Sequence, residues 1–204
     1  MRSVLQKLCL TCLLSLFTAL AGASGLDVKV IGPGGQLLSD AVVSLHSDTA
    51  RAAVKPVSSA QISQRNKTFI PQVLPITQGT GVSFPNEDTV RHHVYSFSET
   101  KRFEIKLYVG TPAQPVIFDT PGVAVLGCNI HDHMVAWVVV LDTPYFATTD
   151  PTGQARLDNI PAGRYELRVW HKDTPADQPG YTQTIDLEPG DTSQTLTVSP
   201  GAPR

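Results

Sequence analysis

Beyond its leading segment this chain holds no sustained run of helical periodicity, and short apolar stretches broken by Gly, Pro, Asn or Asp recur almost to its end. That texture predicts an all-β protein. Residues 26–31, 41–45, 61–64, 68–74, 81–84, 92–97, 103–107, 114–119, 123–127, 135–141, 145–149, 154–157, 164–170 and 182–187 read as strands. Turn chemistry such as Gly32-Pro33-Gly34-Gly35 and Asp150-Pro151-Thr152-Gly153 lies between them. The run Ala136-Trp137-Val138-Val139-Val140-Leu141 is apolar without alternation, which predicts a strand covered on both faces.

The seven residues Cys128 to Met134 therefore form a loop between two core strands. A loop anchored so firmly at both ends suits side chains that must hold a fixed geometry. From Thr143 the texture shifts to compact strand–turn repeats, so a second small sandwich is expected there.

The first residues read as an export signal. Arg2 and Lys7 form a basic start, residues 8–20 an apolar stretch, and Ala21-Gly22-Ala23 a small-residue cleavage site, most simply cut after Ala23. The apolar stretch is shorter than the roughly 20 residues that span a bilayer, so no permanent membrane anchor is expected. Export points to a periplasmic location. Cys9 and Cys12 leave with the leader, so Cys128 has no intramolecular partner in a compartment that favours disulfides. Loss of Arg2 and Lys7 makes the remainder more acidic than the whole chain's net charge of −2, which disfavours nucleic-acid binding.

Cys128-x2-His131-x2-Met134 brings together a thiolate, an imidazole and a thioether. Such soft and borderline ligands select copper, with zinc the chief competitor and Ca²⁺ or Mg²⁺ poor candidates. A buried, inert thiol is the plain alternative for a lone cysteine, but the adjacent His131 and Met134 weigh against it. A second histidine is available in Arg91-His92-His93-Val94-Tyr95-Ser96-Phe97. The chain has no Gly-x-Ser-x-Gly elbow, phosphate-binding Gly-rich loop or His-Glu-x-x-His motif, so it is not read as an enzyme.

On these residues the chain resembles the cupredoxins, the blue copper proteins of the plastocyanin and amicyanin kind. The pattern Phe84-Pro85-Asn86-x-Asp88-x3-His92-x-Val94, then Asp119-Thr120-Pro121-Gly122 and the Cys128 loop, is similar to their two copper-bearing segments and covers about residues 54–142. The fuller strings His92 to Ser98, Leu107-Tyr108-Val109-Gly110 and Gly127 to Asp132 are similar to bacterial proteins labelled methylamine utilisation proteins. The resemblance implies a Greek-key cupredoxin sandwich with one type 1 copper, held by His92, Cys128 and His131 in a trigonal plane and by Met134 as a weak axial ligand. It places His93 where relatives carry an asparagine that ties the two ligand segments together.

A separate resemblance, carried by Ile160-Pro161-Ala162-Gly163-Arg164-Tyr165 and by residues 28–31 and 38–45, is to carboxypeptidase-regulatory or transthyretin-like accessory domains. It implies that residues 26–50 and 143–199 fold together with the copper unit inserted between them.

The function implied is one-electron transfer, with a dehydrogenase or cytochrome docking transiently near His131. Two alternatives stay open: copper storage or delivery without redox service, and a binding module acting through the accessory sandwich. His133 reads as a solvated loop histidine, and His46 and His171 as surface or strand-end histidines. Asn86 and Asp88 read as loop-ordering residues, and Trp137 and Trp170 as packing groups.

Overall fold

The computed structural model describes residues 23–175, 178 and 180–199. The predicted signal, with Cys9 and Cys12, lies outside the described residues apart from Ala23. Strand β1 (Ala23–Ile31) and strand β2 (Val42–His46) come first. A one-turn helix, α1 (Asp48–Ala52), follows and is absent from the sequence reading. Its start is set by Ser47, whose side chain accepts the Ala50 N–H and so satisfies a donor that the first turn leaves open.

The middle of the chain supplies β3 (Ala60–Gln61), β4 (Ser63–Arg65), β5 (Thr68–Ile70), β6 (Val73–Thr77), β7 (Thr80–Ser83), β8 (His92–Phe97), β9 (Arg102–Tyr108), β10 (Val116–Phe118), β11 (Gly122–Gly127) and β12 (Val135–Leu141). A five-stranded sheet, β6-β12-β11-β8-β9, and a three-stranded sheet, β10-β7-β3, share one apolar core built around Phe69, Phe84, Phe118, Ile76 and Leu126. Phe103 bridges the aromatic part of this core, 5.6 Å from the Phe84 ring and 6.0 Å from the Phe118 ring.

Two stretches read as single strands are in fact divided. Residues 61–64 split between β3 and β4. Residues 68–74 split at Pro71, whose nitrogen has no hydrogen for a ladder; β5 pairs with β4, whereas β6 runs parallel to β12.

The last part of the chain forms β13 (Phe146–Thr148), β14 (Gln154–Pro161), β15 (Gly163–Trp170), β16 (Tyr181–Leu187) and β17 (Asp191–Thr197). The sequence reading ends a strand at 157 and names none after 187, but β14 continues through Pro161 and β17 runs parallel to β1. Sheets β14-β1-β17 and β13-β2-β15-β16 enclose a second core around Leu26, Leu45, Ile160, Leu167 and Leu187. The architecture is all-β, with two apolar cores each enclosed by its own sheets.

A third apolar cluster joins Val42 and Trp170 of β2 and β15 to Val73, Val123, Val139 and Leu141 of the five-stranded sheet. This explains the unbroken apolar run of β12. Ala136, Val138 and Val140 face the sandwich core, while Val139 and Leu141 face β2 and β15. Each buried large apolar side chain here contributes about 1.5–3 kcal/mol of transfer free energy to the contact between the two sets of sheets.

Candidate metal centre

Three elements converge at one end of the five-stranded sheet. Strand β8 opens on His92, which is fully buried. Strand β11 delivers Cys128 immediately beyond Gly127. A hydrogen bond from the Met134 N–H to the His131 carbonyl, 2.9 Å long, then turns the chain back into β12. Glycine is needed at 127 because a Cβ there would lie 2.8 Å from the Tyr95 hydroxyl, and the Tyr95 ring packs against the strand at that point.

The ligating atoms of His92, Cys128 and His131 all lie within 4.8 Å of one another. Cys128 Sγ and His131 Nδ1 are 3.8 Å apart, and the His92 and His131 rings stand 4.9 Å apart at 60°. Cys128 is buried and His131 partly exposed. Met134 is buried in the same apolar cluster as Cys128.

The imidazole of His92 is polarised by its surroundings. Its Nε2 meets Asp88 Oδ2 at 2.8 Å, whereas its buried Nδ1 has no hydrogen-bond partner among the described residues. An ionised Asp88 fixes the proton on Nε2 and leaves a lone pair on Nδ1, as carboxylate partners do for metal-binding histidines. Burial acts to raise the Asp88 pKa, but the Lys67 and Asn66 backbone N–H groups and His92 outweigh it and hold the carboxyl below its ordinary range. Those two N–H groups donate at 2.9 and 2.7 Å.

Asn86 orders the same loop. Its side-chain amide donates to the Val90 and Tyr108 carbonyls, and its Oδ1 accepts the Asp88 N–H. The loop-ordering role of Asn86 and Asp88 was legible as Asx chemistry. The contact from Asp88 to His92 was not, and the four-residue spacing between them was its only trace in the sequence.

The surroundings of His131 disfavour its protonation. Burial, followed by the neighbouring His92, keeps the His131 pKa below the ordinary imidazole value. Burial also raises the Tyr108 hydroxyl to about 12, opposed by a bond from Gln64 and reinforced by the Cys128 charge. Tyr108 therefore stays neutral and donates to the Phe84 carbonyl at 2.6 Å.

Other histidines fall elsewhere. His93 bonds Glu104 of the neighbouring strand β9 at 2.9 Å, and its Nδ1 has no partner among the described residues, so its side chain joins β8 to β9 rather than tying the ligand segments together. His133 is exposed and meets the Lys67 carbonyl at 3.1 Å. His46 and His171 stand at strand ends as read, but both are buried, because the two sets of sheets close over β2 and β15.

One thiol, two imidazole nitrogens and a thioether nearby make a soft-to-borderline donor set, and the unpartnered Nδ1 of His92 is what such an ion would satisfy.

No protein-family model matches the chain, and no curated protein sequence matches it. Solved structures similar to it include a reduced Cu(I) form of an amicyanin variant, 17% identical, covering 48% of this chain and 98% of that one with a TM-score of 0.38. A purple cupredoxin from Nitrosopumilus maritimus is 25% identical over 41% of this chain and 100% of its own, with a TM-score of 0.37. A copper-containing nitrite reductase from Thermus scotoductus is 25% identical over 47% of this chain, with a TM-score of 0.38, and only 27% of its length is spanned. These are partial likenesses, and the chemistry rests on the residues themselves.

Proposed function

We propose that the protein is a periplasmic type 1 copper protein that passes single electrons between redox partners. His92, Cys128, His131 and Met134 are the residues that would hold the copper in this reading. The observation that carries it is the convergence of one buried thiol with two imidazoles, one of which offers an unpartnered Nδ1. Copper bound there supplies a one-electron Cu(I)/Cu(II) couple.

Each residue has a distinct task. Cys128, buried among apolar side chains, supplies a thiolate shielded from water. Asp88 holds His92 in the tautomer and orientation that present Nδ1. His131 is the partly exposed member, so its ring edge is the route by which an electron reaches a docked dehydrogenase or cytochrome. Such encounters are small and transient. Held by these four residues, copper would have no open position for a substrate, which favours a carrier over a catalyst in this reading. The grouping of residues 26–50 and 143–199 into an accessory unit around an inserted copper unit of residues 54–142 is part of the same proposal, as is kinship with the methylamine utilisation proteins.

The test is spectroscopic. Cu(II) added to the protein should give an intense visible thiolate-to-copper band and a narrow parallel EPR splitting, both absent in Cys128→Ser. A colourless complex with ordinary tetragonal EPR parameters would refute the assignment. Copper transfer to an acceptor protein without fast electron exchange in stopped-flow mixing would instead favour delivery.

A further inference from the structure

Ser44 and His46 lie two residues apart on β2 and so share one face of the strand. That face looks toward the junction with β12 rather than toward water, and Ser44 is 3% and His46 7% exposed. Ser44 Oγ and His46 Nε2 are 2.9 Å apart, and His46 Nδ1 and Asp142 Oδ1 are 2.7 Å apart. The second oxygen of Asp142 accepts Arg51 Nε at 2.9 Å.

The direction of this chain of bonds follows from the charges. Burial favours the neutral form of Asp142, but bonds from Arg51 and His46 outweigh it and keep the carboxyl below its ordinary range. Burial, then the charge of Arg168, lowers the His46 pKa against the pull of Asp142 and Glu166. An ionised Asp142 can only accept, so Nδ1 of the neutral imidazole carries the proton and Nε2 accepts the Ser44 hydroxyl.

These groups line a cavity of about 330 Å³ at the junction, walled by Val42, Val123, Val139 and Leu141. Arg168 and Trp170, which also line it, pair across the strands with Ser44 and Val42. Arg168 stands directly opposite Ser44 across the strands and its charge reaches His46, while its Nε donates to Glu166 on the same strand. The indole nitrogen of Trp170 is buried without a partner among the described residues.

We propose that this cavity is an acyl-transfer site for small esters with an apolar acyl group, with Ser44 as nucleophile, His46 as general base, Asp142 as the group that orients it, and Arg168 as the cation facing the developing oxyanion. Such a triad is recognised by geometry and roles, not by sequence order. As Ser44 Oγ bonds to the ester carbonyl carbon, its proton passes to His46 Nε2 and the carbonyl electron pair moves onto oxygen. The carbonyl then re-forms, the alcohol leaves with the proton from His46, and water releases the acid from the acyl-serine by the same steps. The net reaction is ester plus water giving acid plus alcohol, with no redox change. It is independent of the copper reading.

The full-length protein treated with a fluorophosphonate should gain one phosphonyl group, located on Ser44 by peptide mass, and should hydrolyse p-nitrophenyl butyrate. Ser44→Ala should lose adduct and hydrolysis by about 100-fold or more while keeping its far-UV circular dichroism, and His46→Gln should lose labelling while Ser44 remains. Absence of any Ser44 adduct on the wild-type protein, or hydrolysis that persists in Ser44→Ala, would overturn the proposal and leave the network a structural tie across the junction. Should either variant fail to fold, the wild-type adduct map alone decides.

Discussion

Asp88 orders one of the candidate metal ligands without itself belonging to the ligand group. One carboxylate fastens the loop through the Asn66 and Lys67 N–H groups and at the same time holds His92 by its Nε2. Outer partners of this kind typically account for about 10–100-fold in metal affinity. Asp88→Ala should therefore weaken Cu(II) binding by about that factor in a chelator competition, with Cys128 still producing the visible band. Unchanged affinity would mean that packing alone orients His92. The proximity of Cys128, His131 and Met134 was readable because they lie in one short loop, whose chain connectivity keeps them near one another. The Asp88 bond was not, since its i,i+4 spacing has no meaning until the loop before β8 is folded.

At the level of elements, turns decided what strand patterns left open. Asp150 Oδ1 gathers the Thr152 and Gln154 N–H groups, and Gly153, at φ +72, returns its carbonyl to the Val30 N–H at 2.7 Å. A Cβ at 153 would meet the Val30 carbonyl oxygen at 2.6 Å, with backbone on both sides of the clash. Gly153→Ala should cost about 1–3 kcal/mol, read as a lower urea midpoint with an unchanged slope. A midpoint equal to wild type would show that the turn between β13 and β14 relaxes freely. Strands β8, β11 and β12 were legible almost to the residue because apolar content and flanking turns agree. The division of 68–74 was missed although Pro71 cannot donate to a ladder, because Thr68-Phe69-Ile70 and Val73-Leu74 look alike in composition and only the fold shows that they pair with different strands.

Across the whole molecule the junction is both an apolar seal and an ionic clasp. Arg51 and His46 from one set of sheets hold Asp142 at the end of β12. Because the folded pKa of Asp142 is depressed, its contribution is fully present above the unfolded value near 3.9 and is lost as pH falls through the lower folded value. The gap in thermal midpoint between wild type and Asp142→Asn should therefore be wide at pH 7 and narrow below about pH 4; a constant gap would remove the carboxylate charge from the account. Sequence alone determined the all-β class, the two-sided burial of β12 and the local Cys128 loop, since each follows from near-neighbour pattern and connectivity. Only tertiary structure decided what covers the outer face of β12, which nitrogen of His92 is left free, and that Asp142 meets a histidine 96 residues away. Those outcomes depend on which surfaces meet, and no local pattern in the chain encodes the partner of a face.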